Sequence, residues 1–136
     1  GQARICRVGR DVTVVTYGRT VPVAVQAAEG LAGEGIAVEV IDLRSLCPYD
    51  WDAVVTSVKK TRRVCFLNED TEVTNFGEHL LRRTVEELFY ELEAPPRLIA
   101  GAHVPGVGLA DPLERASVPQ IDQVTAILKE IARHEP

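Results

Sequence analysis

Methionine is absent from this 136-residue chain, even at position 1, so a fragment or a trimmed chain is expected. Cysteine is scarce and odd in number: Cys6, Cys47 and Cys65 lack metal-ligand spacing, which argues against both a zinc site and a disulfide scaffold. Each lies in or beside an apolar run, so buried, reduced side chains in a cytoplasmic protein are expected. Long apolar runs are missing too. None approaches the ~20 residues that span a bilayer, and no signal peptide is expected. The net charge is −5 and Lys and Arg form no stripe, which argues against nucleic acid or an anionic membrane surface as partner. Nor is there a phosphate cradle, because Tyr17-Gly18-Arg19-Thr20 offers one glycine where a Gly-x-Gly-x-x-Gly turn or a P-loop needs several. His79 and His103 stand alone and read as a solvated helix face and a loop residue. Cys65 falls inside a strand, desolvated and without an evident base, so a cysteine enzyme is rejected.

What remains is ordinary for a soluble globular protein, with 46% hydrophobic and 26% charged residues, enough for one domain over residues 1–136 with one core. The organising stretch runs from Arg63 to Leu92. Val64-Cys65-Phe66-Leu67 is a continuous apolar block, the pattern of a strand covered on both faces. The acidic turn Asn68-Glu69-Asp70-Thr71-Glu72 follows. A long helix then places Leu80, Leu81, Thr84, Val85, Leu88, Phe89 and Leu92 on one stripe.

Around it, residues 3–8 and the β-branched run 12–17 read as the first two strands, parted by the turn Gly9-Arg10-Asp11. Thr20 is placed to cap a helix with Val21, Ala24, Val25, Ala28, Leu31 and Ala32 inward, ended by Gly33-Glu34-Gly35. Residues 37–43 form a third strand. Asp50 caps a shorter helix with Trp51, Val54, Val55 and Val58 inward, and residues 97–100 form a fifth strand. The loop 101–112 is glycine- and proline-rich and reads as a surface connection. A last helix after Asp122 turns Val124, Ile127, Leu128, Ile131 and Ala132 inward. Strands alternating with helices imply an α/β fold, a mostly parallel sheet with helices on both faces. The first strand is the exception. Only a brief turn separates it from the second, too little for a parallel crossover, so it runs against the others.

Ligands of such sheets bind outside the carboxyl ends of the strands, which puts the acidic turn in the functional position. Residues 69–93 hold eight acids against Arg82 and Arg83, a net of −6, so the chain's acidity is concentrated there. A glycosidase-like acid/base pair would need a cleft of which the sequence gives no sign, so a solvated or partner-facing turn is the better reading.

Several segments together resemble one family. Residues 1–5 with Gly9-Arg10-Asp11-Val12-Thr13, then Val15-Thr16-Tyr17-Gly18, Val38-Glu39-Val40-Ile41-Asp42-Leu43-Arg44, Pro48 with Asp50, and Val58-Lys59-Lys60-Thr61 resemble the C-terminal domain of transketolase-like enzymes. The form resembled most is the beta subunit, or a fused beta half, of the thiamine-diphosphate-dependent decarboxylase of 2-oxoacid (pyruvate or branched-chain) dehydrogenase complexes. That family commonly has His-Glu followed by Gly-Gly-Phe-Gly where this chain has Asn68-Glu69 and Thr74-Asn75-Phe76-Gly77, which leaves the substrate subgroup open.

The resemblance implies a three-layer αβα sandwich with a five-stranded sheet ordered 1-3-2-4-5, first strand antiparallel. It also implies thiamine diphosphate and magnesium in the preceding domains of a parent enzyme, and none in this part. This chain is then a non-catalytic assembly domain of a parent that decarboxylates a 2-oxoacid and acylates lipoate. Implied partners are those preceding decarboxylase domains, further copies of the chain, and the acyltransferase, whose small basic peripheral domain docks on the paired beta-subunit domains. Docking candidates are Glu69, Asp70, Glu72 and Glu78. Val104, Pro105, Val107 and Leu109 are the candidates for self-association, an apolar run within the long loop. The rival readings are the same domain of a transketolase or deoxyxylulose-phosphate synthase, and a free-standing α/β binding module.

Overall fold

In the computed structural model, which describes residues 1–71, 76–101 and 119–136 and the side chains of all of these except 70 and 71, five strands form a mixed sheet. The strands are β1 (Arg4–Arg7), β2 (Val12–Thr16), β3 (Val38–Asp42), β4 (Val64–Thr71) and β5 (Arg97–Gly101). Among the described residues four helices accompany them, α1 (Val21–Ala32), α2 (Trp51–Thr61), α3 (Phe76–Leu88) and α4 (Ile121–Arg133), with short 3-10 turns at Gly18–Thr20 and Phe89–Glu91. The order is β1-β3-β2-β4-β5, with β1 antiparallel to β3 and the other pairings parallel, as the resemblance implied.

Every residue of β2 is buried because β3 and β4 flank it and helices cover both faces. On one face Val12, Val14, Val38, Val40, Cys65 and Leu67 pack against α1 and α4. On the other, Val15, Ile41, Val64 and Phe66 pack against α2 and α3. These are the two core layers of an αβα sandwich. Each fully buried aliphatic side chain contributes about 1.5–3 kcal/mol.

The local signals act as their chemistry predicts in α2. The Asp50 carboxylate accepts the Ala53 N–H at 3.1 Å and, with its other oxygen, the Ala3 N–H at 3.0 Å, so one side chain caps the helix and pins the start of β1. Elsewhere they differ. Thr20 does not cap α1. Its hydroxyl donates to the Tyr17 carbonyl at 2.9 Å and lies 2.7 Å from the Thr16 hydroxyl, because the chain makes a 3-10 turn before the helix begins. Ala27 rather than Ala32 completes the buried face of α1. Val85, within α3, lies at the edge of the buried Leu80-Thr84-Leu88 stripe and is exposed, and Phe89 is exposed because α3 ends at Leu88 and the chain tightens into a 3-10 turn there. Cys65 is buried, but Cys6 is only half-buried and Cys47 is exposed, in the segment that leads to α2.

Between β2, β3 and α2 lies a buried polar cluster. The Thr13 hydroxyl is 2.7 Å from both Ser57 Oγ and Thr61 Oγ1, and Glu39 pairs with Lys60 and accepts the Gly9 N–H at 3.1 Å. Burial alone would push the Glu39 carboxyl up, but hydrogen bonds from Lys60, Ser57 and the Gly9 amide together hold it below the ordinary carboxylate range. Gly9 itself has no room for a side chain, since a Cβ would lie 2.6 Å from the Glu39 backbone nitrogen. By contrast a Cβ on Gly30, in the last turn of α1, meets nothing within 4 Å.

Two outcomes follow. Because the Glu39 carboxyl is depressed in the folded chain, its contribution is present above the unfolded-state pKa near 4.5 and is lost as the pH falls through the lower folded value. Urea unfolding across that window should show a steeper acid loss for the wild type than for Glu39→Gln, which at neutral pH costs roughly 1–3 kcal/mol. Gly30→Ala should stabilise by about 0.5–1 kcal/mol, whereas Gly9→Ala should be strongly destabilising in the same assay.

Candidate functional site

The strand order reverses between β2 and β4: the crossover after β2 runs through α1 toward β3, and that after β4 runs through α3 toward β5. This switch point opens a crevice at the carboxyl ends of β2 and β4. Gly18, with φ +65°, turns the chain immediately past β2 in a conformation that side chains resist. Arg19 follows on the rim and reaches across to Glu69 on β4, its Nη2 2.7 Å and its Nε 2.8 Å from Oε2. Asn68, at the position where the resembled family carries histidine, is buried beneath it.

The acidic turn is therefore not a turn. Asn68 to Thr71 continue β4 past its last pairing with β2, and Thr71 pairs with Gly101 of β5 after an irregularity in register. Leu67 is the last residue held on both sides, so the polar residues occupy the part of the strand that projects beyond the sheet. Glu69 faces Arg19 rather than a free partner surface. Glu78 is exposed in the first turn of α3. The side chain of Asp70 and the whole of Glu72 lie outside the described residues, as do His103 and the self-association candidates Val104, Pro105, Val107 and Leu109.

The acid count of the segment overstates its field. Arg19 pairs with Glu69, Arg82 with Glu86, Arg83 with Glu87, and Arg62 with both Glu91 and Glu93.

Beside the crevice is a cluster that periodicity did not disclose. Tyr49 meets Trp51, Phe76 and His79 edge to face, lying 5.1 Å from Phe76 and 5.6 Å from His79 between ring centroids. The Arg83 guanidinium stacks 4.3 Å from the Trp51 ring, donates to the Tyr49 hydroxyl at 2.6 Å, and pairs with Glu87 at 2.7 Å. That guanidinium holds the Glu87 carboxyl below the usual carboxylate range. His79 is thus not a solvated helix residue. Its Nε2 is 2.8 Å from the Tyr49 oxygen and its Nδ1 3.3 Å from Arg82 Nη2. A guanidinium can only donate, so in the neutral imidazole Nδ1 accepts there and Nε2–H is given to Tyr49. The available signal was spacing: His79, Arg83 and Glu87 recur every four residues on one flank of α3, facing an aromatic pair at the start of α2.

These groups satisfy one another's hydrogen-bonding and charge requirements. Burial pushes the Cys65 thiol up to about 12, which leaves it protonated and unreactive. Among the described residues no three His, Cys, Asp or Glu side chains converge on a point where they could hold a metal ion. Among the described residues no helix is long and apolar enough to cross a membrane.

A doubly wound αβα sandwich with an antiparallel first strand and a self-paired switch point defines the class. The model of the transketolase C-terminal domain matches residues 1–124, and the chain belongs to that family. It is 43% identical over 129 residues to subunit beta-2 of the mitochondrial pyruvate dehydrogenase E1 component of Oryza sativa subsp. japonica, covering 95% of this chain and 34% of that protein. It is 35% identical over 132 residues to the beta subunit of 2-oxoisovalerate dehydrogenase of Bacillus subtilis, covering 97% of this chain and 40% of that protein. Among solved structures, a split-gene transketolase described as an inactive beta4 tetramer superposes with a TM-score of 0.84 at 25% identity, over 99% of this chain and 43% of the other. The chain spans about a third to two fifths of the length of these curated relatives.

The cluster predicts a measurable coupling. Tyr49→Phe removes the oxygen shared by Arg83 and His79 and should cost about 1–2 kcal/mol in urea unfolding. Because both changes break one network, combining it with Arg83→Met should cost less than the sum of the two single variants.

Proposed function

We propose that this chain is the C-terminal assembly and partner-docking domain of a 2-oxoacid dehydrogenase decarboxylase component. The observation that carries the reading is the identity to pyruvate and 2-oxoisovalerate dehydrogenase beta subunits, sustained over nearly the whole chain. The parent decarboxylates a 2-oxoacid and passes the acyl group to lipoate. Thiamine diphosphate and magnesium are held by its other domains, while this domain's crevice residues Arg19 and Glu69 are committed to each other. Its work is to join subunits and to present a surface to the basic peripheral domain of the acyltransferase. The docking acids are Glu69, Asp70, Glu72 and Glu78, of which Glu69 and Asp70 belong to the β4 extension and Glu78 to the first turn of α3.

A charge swap separates docking from folding. In the assembled parent enzyme, Arg19→Glu with Glu69→Arg retains a rim ion pair, whereas Asp70→Lys with Glu78→Lys reverses the surface. If the acids guide docking, the second pair should slow association with the acyltransferase about tenfold at low salt and flatten its salt dependence. The first pair should leave stability nearly unchanged. Unchanged association in the Asp70/Glu78 variant would place docking on another face.

A further inference from the structure

We propose that the open edge of β1 is a docking site for an acidic, extended segment of a partner protein, which adds to the sheet alongside β1.

Three observations meet at this edge. First, among the described residues β1 pairs only with β3, so the N–H and C=O groups on its other side have no strand beside them. Such an edge is a template for a further strand, and backbone pairing supplies the affinity in that mode of recognition. Second, the edge is basic in an otherwise acidic chain. Residues 1–10 carry Arg4, Arg7 and Arg10 and no acid. Arg19, Arg62, Arg63, Arg82, Arg83 and Arg97 all have carboxylate partners, but Arg4, Arg7 and Arg10, like Arg44 and Arg133, are in no ion pair among the described residues. Asp42 stands opposite Arg4 in the ladder but is not in ion-pair contact with it, and three carboxylates of this region bind other donors. Asp11 accepts the Ala37 N–H at 2.7 Å, Asp42 accepts the Arg44 N–H at 3.0 Å, and Glu39 holds Lys60.

The third observation is register. Arg4 and Arg7 are three apart, and in a regular strand they would point to opposite faces. An extra residue between Ile5 and Arg7 changes that: Arg4 stands opposite Asp42 and Arg7 opposite Val40, two residues on one face of β3. The irregularity therefore gathers both guanidinium groups on the α1 side of the edge and leaves Ile5 and Val8, 44% and 76% exposed, as apolar contacts.

The charge selects the occupant. Two copies of β1 laid side by side would oppose arginine to arginine, which disfavours edge-to-edge pairing of this chain with itself. A strand carrying carboxylates at alternate positions meets both cations on one face. The row is too short to follow a nucleic-acid backbone, and the chain's net charge of −5 opposes one.

The test titrates the 136-residue chain with a fluorescent peptide of about eight residues alternating glutamate and valine. Controls are the same peptide N-methylated on alternate amides, an alternating lysine–valine peptide, and a single-stranded oligothymidylate. The expected result is saturable binding that slows hydrogen exchange at the β1 amides and falls at least about tenfold in Arg4→Gln/Arg7→Gln. The N-methylated peptide should not bind, and Arg4→Glu/Arg7→Glu should reverse the preference toward the lysine peptide. That reversal is a gain of binding, which an unfolded variant cannot mimic. No binding of the glutamate peptide at millimolar concentration overturns the proposal. So does equal binding of the N-methylated form, protection located at β5 instead of β1, or tighter binding of the oligothymidylate.

Discussion

A strand buried on every residue must satisfy all of its polar groups from within the protein, and β2 is such a strand. Its backbone is shared between β3 and β4, so the parallel sheet closes around it from both sides. Its two hydroxyls point to opposite faces and recruit opposite layers. Thr13 takes Ser57 and Thr61 from α2, and Thr16 takes Thr20 from the turn before α1. A valine at either position would suit the core equally in volume but would lose these hydroxyl contacts, at about 0.5–1.5 kcal/mol for each hydrogen bond, since Thr20 and Thr61 keep the Tyr17 and Arg63 carbonyls as partners. These contacts fix where α1 and α2 sit, and with them the shape of the crevice between β2 and β4.

The fold was legible because its strongest signals were local and unopposed. The β-branched run of β2, the apolar block of β4 and the Asp50 cap needed no tertiary information, and the short turn before β2 was enough to make β1 antiparallel. Residue spacing could not choose which strand β1 pairs with. That choice came from the resemblance. The errors share a cause, which is that a periodic pattern does not announce where an element stops. Phe89 has the right spacing for the α3 stripe but falls after the helix has tightened. Asn68, Glu69 and Asp70 look like a turn by composition, yet β5 continues beside them and keeps the chain extended.

The candidate site was less legible, because ion pairing is a long-range property. Arg19 and Glu69 are fifty residues apart and meet only because β2 and β4 are neighbours in the sheet. Counting charge along residues 69–93 found the acids and missed the arginines that answer them from the turn after β2 and the end of α2. His79 was misread for a related reason. A lone histidine on a polar helix face is usually solvated, but Tyr49 is brought against it by the packing of the α2 entry on α3.

Pairing also decides which parts of the surface remain able to act on another molecule. An exposed ion pair contributes about 0–1 kcal/mol to stability, so the pairs on α3 and on the crevice rim do little to hold the fold. Their larger effect is to cancel the field that an approaching partner would feel, since a compensated pair steers encounter far less than a single charge does. By that criterion the carboxyl-end rim, for all its acids, is quieter at Glu69 than its composition suggests. The β1 edge, with three arginines that no described carboxylate answers, is louder. Acids that act on a partner from the rim must then do so from positions beyond the reach of Arg19. Glu78, in the first turn of α3, is exposed, and the division of the molecule is asymmetric: a rim whose Glu69 is paired on one side of the sheet and a basic edge at its end.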